Sequence, residues 1–139
     1  MEFVEKKYKR SVTALKTLEK IIEEYKIIDP KYHEMCRDAL IQRFEYSFDA
    51  LWMYVKVYLE SVCSVALEVK GSRHVFREAL RAGLITQEQV EIAFKMIDLR
   101  NLTSHAYDQE VADKVAREIP GFYSLIVDFL KIMDPSKKK

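Results

Sequence analysis

The sequence predicts an all-α protein: an antiparallel, up-and-down bundle of four main helices with one additional short helix. Three observations predict it. Long stretches place apolar residues at spacings of three and four, the repeat of a single helix face. Glycine and proline are scarce, three of each in 139 residues, which leaves few places to turn and favours long elements. No segment alternates apolar and polar residues between turn dipeptides, so a sheet is not expected.

The first helix runs from about Phe3 to Tyr25, where Tyr8, Val12, Leu15, Leu18, Ile22 and Tyr25 form one apolar stripe; its lysines and glutamates read as a solvated face. Asp29-Pro30 breaks it, because the residue before a proline is pushed away from helical dihedrals. From about Lys31 to Val69 there is neither glycine nor proline. Phe44, Phe48, Leu51, Val55, Tyr58, Val62 and Ala66 recur there with a period near 3.5, which marks a central helix. A second stripe, Tyr46, Ala50, Met53, Val57, Ser61 and Ser64, runs down another face, so this helix is expected to be covered on two sides, one of them by a second subunit. Arg43, Glu45 and Lys56 interrupt the apolar pattern and are expected in ion pairs; Trp52 is expected as a core anchor.

Gly71 is expected to end the central helix and Ser72 to cap a short one over Arg73–Ala82, stopped by Gly83, with His74 at the surface. Thr86 followed by Gln89 is a capping box, and Val90, Ala93, Phe94 and Ile97 form a buried stripe that delivers Arg100 near the end of the fourth helix. Asp108 can cap the next, with Glu110 and Asp113 complementing its positive end. Pro120-Gly121 should kink or interrupt the last helix, after which Phe122, Leu125, Ile126, Phe129, Leu130 and Met133 continue an apolar face. Residues 1–134 thus read as one bundle domain and 135–139 as a flexible basic tail.

Composition narrows the function classes. With 49% apolar and 32% charged residues, and no run near the roughly 20 apolar residues of a membrane span, a soluble cytoplasmic chain with no membrane contact is expected. The N-terminus MEFVEKKYKRS lacks the apolar core of a signal peptide. A net charge of +1 provides no basic field, so affinity for RNA would need a local patch. Cys36 and Cys63 fall 27 residues apart in what reads as one helix, roughly 40 Å, too far to pair; two buried, inert thiols are expected. Neither has a metal-ligand spacing with His33, His74 or His105, and no metal or cofactor is called for.

Chemistry concentrates in Arg100-Asn101-Leu102-Thr103-Ser104-His105-Ala106-Tyr107, at a helix–helix junction. An arginine and a histidine together could cleave or bind a phosphodiester; where the strand is RNA, cleavage requires taking a proton from the 2′-hydroxyl, stabilising charge on the phosphate and protonating the departing 5′-oxygen. His105 can act as base or acid, Arg100 can grip the phosphate through two parallel bonds, and Asn101 can orient the imidazole or bind the phosphate. Ser104 shares a helix face with Arg100 and is a candidate RNA contact beside it. Five residues on an ideal helix rotate by roughly 140°, which aims Arg100 and His105 apart. Either the helix ends before His105, or a second copy of the chain completes the site. The same residues also suit a purely structural role, capping the helix end.

The R-x4-H-x-Y pattern of Arg100, His105 and Tyr107, with Asn101 after the arginine, resembles the signature of HEPN-domain proteins. Gln42-Arg43-Phe44-Glu45-Tyr46-Ser47-Phe48 with Trp52 and Lys56, then Val75-Phe76-Arg77-Glu78-Ala79 and Ala82-Gly83-Leu84-Ile85, resemble the branch described as nucleotidyltransferase substrate-binding proteins. The resemblance extends from about Met35 to about Tyr123; R-x4-H alone is a weak motif, and the ordered set of segments is far more specific. It implies a metal-independent RNA endonuclease, the toxin of a toxin–antitoxin pair, with a cleft where two Arg100 and two His105 face one another across a homodimer. It also implies that Tyr107 accepts adenylyl groups from a minimal nucleotidyltransferase antitoxin. The alternative it leaves is a non-catalytic substrate-binding subunit of a two-component nucleotidyltransferase.

Overall fold

The computed structural model describes residues 1–68 and 71–137, and among these every regular element is helical. Six α-helices follow in order: α1 (Glu2–Ile27), α2 (His33–Ser61), α3 (Ser72–Arg81), α4 (Gln87–Leu102), α5 (Gln109–Glu118) and α6 (Pro120–Ile132). Three 3-10 turns, Pro30–Tyr32, Thr103–His105 and Pro135–Lys137, punctuate them. No helix is long and apolar enough to cross a membrane among the described residues.

The two longest helices form an antiparallel hairpin. Asp29 accepts a bond from the Lys31 amide and Pro30 opens the turn, so the chain reverses where its dihedrals forbid a continuous helix. Pairing then runs outward from the turn: the rings of Tyr25 and His33 stack at 4.6 Å, Arg43 donates to the Thr17 carbonyl, Ser47 donates to that of Ala14, and Tyr8 meets Tyr54 at 5.3 Å. On the far side of the core, α6 runs parallel to α2, with Phe122 beside Phe44 and Tyr54 donating to the Met133 carbonyl. The short α3 inserts Phe76 between Phe48 of α2 and Phe129 of α6. Phe44, Leu51, Phe76 and Phe129 are fully buried, and each contributes about 1.5–3 kcal/mol of hydrophobic stabilisation.

Several local expectations hold. Thr86 and Gln89 form the capping box, Asp108 accepts from the Glu110 and Val111 amides, Gly83 stops α3 in a left-handed conformation at φ 76°, and Pro120 separates α5 from α6. Lys56 pairs with Glu60, as expected of a polar interruption, whereas Arg43 bonds a backbone carbonyl instead. Trp52 packs against the core but stays half-buried.

Others need correction. The central helix ends at Ser61, short of Val69, which lies outside the described residues. Its end is a turn in which the Cys63 and Val65 amides return to the Tyr58 and Leu59 carbonyls around Ser64, held at φ 57°. The run Ser61-Val62-Cys63-Ser64 has low helix propensity, so the helix stops without glycine or proline. Cys36 is buried in α2, but Cys63 lies beyond the helix and is half-buried, so the two do not share one long helix. Gly71, not Ser72, occupies the cap position of α3, with φ 126°, and Ser72 is already helical. Where the expected tail begins, Pro135 is buried and Asp134 accepts from the Ser136 amide and hydroxyl, closing a last turn. Lys138 and Lys139 lie outside the described residues.

Candidate functional site

The α4 helix carries Arg100 on the side that meets α2. Its last turn then tightens: the Ala106 amide bonds the Thr103 carbonyl, and Thr103–His105 winds as a 3-10 turn before Asp108 starts α5. Of the two ways to reconcile Arg100 with His105, the α-helix indeed ends before the histidine. The capping of this end falls to Thr103 and Ser104, whose hydroxyls lie 2.6 Å and 3.0 Å from the Arg100 and Asn101 carbonyls. Arg100, Asn101 and His105 therefore do not do the capping.

Arg100 is held by an acidic clamp on α2. Its Nε and Nη2 donate to the two oxygens of Asp49 at 3.2 and 2.9 Å, a forked pair, and its Nη1 donates to Glu45 at 3.1 Å and to the Thr103 hydroxyl at 3.0 Å. Thr103 Oγ1 also lies 2.7 Å from Glu45. With a single proton, this hydroxyl donates either to Glu45 or to the Arg100 carbonyl while accepting from Nη1. Hydrogen bonding to Asp49 raises the Arg100 pKa above its ordinary value; burial opposes this, and the charges of Asp49 and Glu45 reinforce it. One guanidinium between two carboxylates leaves the cluster formally negative. Nη2 retains a second N–H that none of these bonds uses.

The remaining candidates face outward. Asn101, Ser104 and His105 are exposed, and among the described residues no side-chain hydrogen bond engages Asn101 or His105. Tyr107 is 80% exposed, its ring edge-on to the His105 imidazole at 6.2 Å. Among the described residues no hydrogen bond joins Arg100 to His105. A groove of about 490 Å³ lies nearby, walled by Asp38, Ile41, Gln42 and Glu45 of α2 and by Thr103 and Ala106, the residues on either side of Ser104 and His105; Arg100 and His105 themselves do not line it. No group of three or more histidine, cysteine or carboxylate side chains that could hold a metal is found among the described residues.

The sequence reading missed Asp49 and Thr103 and gave Glu45 only a generic ion pair. A signal was available: Glu45 and Asp49 stand four apart on α2, between its two apolar stripes, and so form one polar strip facing a neighbour.

The family model for nucleotidyltransferase substrate binding protein like sequences matches residues 6–134. A Haemophilus influenzae protein named "Probable ribonuclease HepT" is 36% identical over 84 residues, which are 59% of this chain and 56% of that relative, so the match spans little more than half of the relative's length. A crystal structure of a protein from Thermus thermophilus superposes with a TM-score of 0.77 at 33% identity, covering 88% of this chain and 98% of that one.

Proposed function

The chain belongs to the nucleotidyltransferase substrate-binding-like family of HEPN-domain proteins, and from that membership we propose that it is a metal-independent RNA endonuclease, the toxin of a toxin–antitoxin pair. The observation that carries the reading is His105. Its imidazole is exposed, it stands in sequence between Thr103 and Ala106 of a groove wall, no hydrogen bond among the described residues occupies its ring nitrogens, and Arg100 bonds Glu45 of the same wall. A neutral imidazole there can take the 2′-hydroxyl proton as that oxygen attacks the adjacent phosphorus, and an imidazolium can protonate the departing 5′-oxygen. Arg100 stabilises the phosphate through its unused Nη2 N–H, or through its whole fork once Asp49 is displaced. Asn101 and Ser104 stand exposed beside it as further phosphate contacts.

A second protomer completes this site. The outer face of α2 leaves Tyr46 and Met53 at 41% and 48% exposure, and its Ala39 borders the groove, so a copy docked there would bring a second His105 to share the acid and base roles. A minimal nucleotidyltransferase is the antitoxin: the exposed Tyr107 phenol beside His105 loses its proton and bonds the α-phosphorus of ATP as the α–β anhydride breaks and pyrophosphate leaves. The non-catalytic reading, a substrate-binding subunit of a nucleotidyltransferase, has one observation in its favour: the Arg100 fork is already engaged by carboxylates.

Incubating the purified protein with RNA in the presence of a chelator separates the two. A ribonuclease of this type yields fragments ending in 2′,3′-cyclic phosphate, and His105→Ala abolishes them without changing thermal unfolding. Intact RNA after incubation with fully folded protein would leave the binding-subunit reading.

A further inference from the structure

A second groove, of about 710 Å³, lies between the end of α1, the start of α2 and α5. This volume suits a small organic ligand. Three features line it. The His33 ring stacks on Tyr25 at 4.6 Å with a 24° interplanar angle, and His33 is exposed while Tyr25 is half-buried, so an imidazole face looks into solvent. Arg117 is exposed on the opposite wall and makes no ion pair among the described residues. Between them Arg37, only 5% exposed, is fixed by Asp38 at 3.1 Å, Asp113 at 3.0 Å and Gln109 at 2.8 Å, which makes the floor rigid.

We infer that this groove is a nucleotide subsite: a base stacks on the outer face of His33, its phosphate pairs with Arg117, and its polar edge meets Gln109 and Asp113. Unstacked bases are commonly held on aromatic or histidine rings, and a guanidinium suits a phosphate. The formal charges of the lining cancel, Arg37 and Arg117 against Glu34 and Asp113, so a phosphodiester with one charge is favoured over a polyanionic triphosphate. That identifies the occupant as one unit of an RNA strand. Gln109 follows His105 by four residues, a chain span of no more than about 15 Å, so a strand leaving this groove past Gln109 reaches the imidazole within a few nucleotides. The inference rests on the chain binding RNA, not on its cleaving it.

The test uses the full chain carrying His105→Ala, which leaves RNA uncut, and a short single-stranded RNA containing 2-aminopurine. His33→Ala is expected to weaken binding about tenfold and to relieve quenching of the probe, and His33→Phe to restore both. Arg117→Gln should weaken binding severalfold and reduce the salt slope by about 0.7. AMP and ATP, added as competitors, should displace the RNA only at concentrations far above that of the protein. Indifference to both His33 variants in a chain that still binds RNA overturns the subsite alone. Tight competition by ATP reassigns the groove to a free nucleotide and overturns the RNA occupant. Absence of any RNA binding removes the subsite and the ribonuclease together, whereas binding without cleavage by the chain with His105 intact removes only the ribonuclease.

Discussion

Asp49→Ala probes the acidic clamp most directly. The substitution removes two charge-assisted bonds to Arg100, but the partners are 46% and 27% exposed, which places the pair among solvent-screened ion pairs worth about 1 kcal/mol or less. Alanine recovers up to about 0.5 kcal/mol of helix propensity at a site inside α2. The net loss is therefore about 0.5 kcal/mol, a fall of roughly 2 °C in the unfolding midpoint of a domain this size. The effect on RNA has the opposite sign. Freed of its fork partner, Arg100 no longer exchanges one anion for another, and a competitor worth about 1 kcal/mol corresponds to a roughly fivefold gain in affinity. Thermal unfolding and RNA binding, measured on the single variant and again in an Arg100→Ala background, give both quantities; in the second background the gain should vanish. Unchanged or weaker RNA binding by a folded Asp49→Ala protein would show that the clamp holds Arg100 in its working position rather than competing with phosphate.

Tyr107→Phe should keep RNA cleavage and fold intact, and should abolish the AMP mass increments that mass spectrometry is expected to find on the chain after incubation with its nucleotidyltransferase and ATP. Met53→Glu places a charge in the middle of the exposed α2 stripe and should convert a dimer to a monomer by light scattering, with cleavage lost at unchanged helix content. Stability should fall as pH rises past about 10, the ordinary tyrosine value, because burial, with Tyr58, Tyr8 and Asp134 adding to it, raises the Tyr54 pKa far above that value. The sign follows from linkage: the unfolded phenol ionises first, so stability is full below its pKa and declines above it. Melting curves of the parent and Tyr54→Phe on either side of that pH check this, since the variant should be less stable at neutral pH and less sensitive to alkali.

What could be read from the chain was what is local in it. The Thr86–Gln89 box, the Asp108 cap and the proline at 120 each depend on neighbours within three or four residues, and each stands where its spelling puts it. The end of α2 was not legible, because Ser61 to Ser64 stop a helix by weak propensity and a left-handed serine rather than by glycine or proline. The site divides in the same way. Arg100, Asn101, Ser104, His105 and Tyr107 could be proposed from sequence because they are close along the chain, but the state of Arg100 depends on Glu45 and Asp49, more than fifty residues earlier. Arg37 shows the same limit: nothing in its own segment says that a charged side chain will be buried against Gln109 and Asp113.

The α1–α2 hairpin has a consequence for the order of events as the chain is made. Its contacts can close like a zipper from the Asp29-Pro30 turn, the Tyr25–His33 pair first and Tyr8–Tyr54 last, each step enlarging an existing loop at little further entropy. The clamp has no such path, since the bonds from Arg100 to Asp49 and Glu45 close loops of 51 and 55 residues at once. Glu45 and Asp49 therefore settle on the hairpin before Arg100 joins them. A folding chain thus holds its acidic receptor ready before its cation arrives, and the clamp around Arg100 closes on a hairpin already formed.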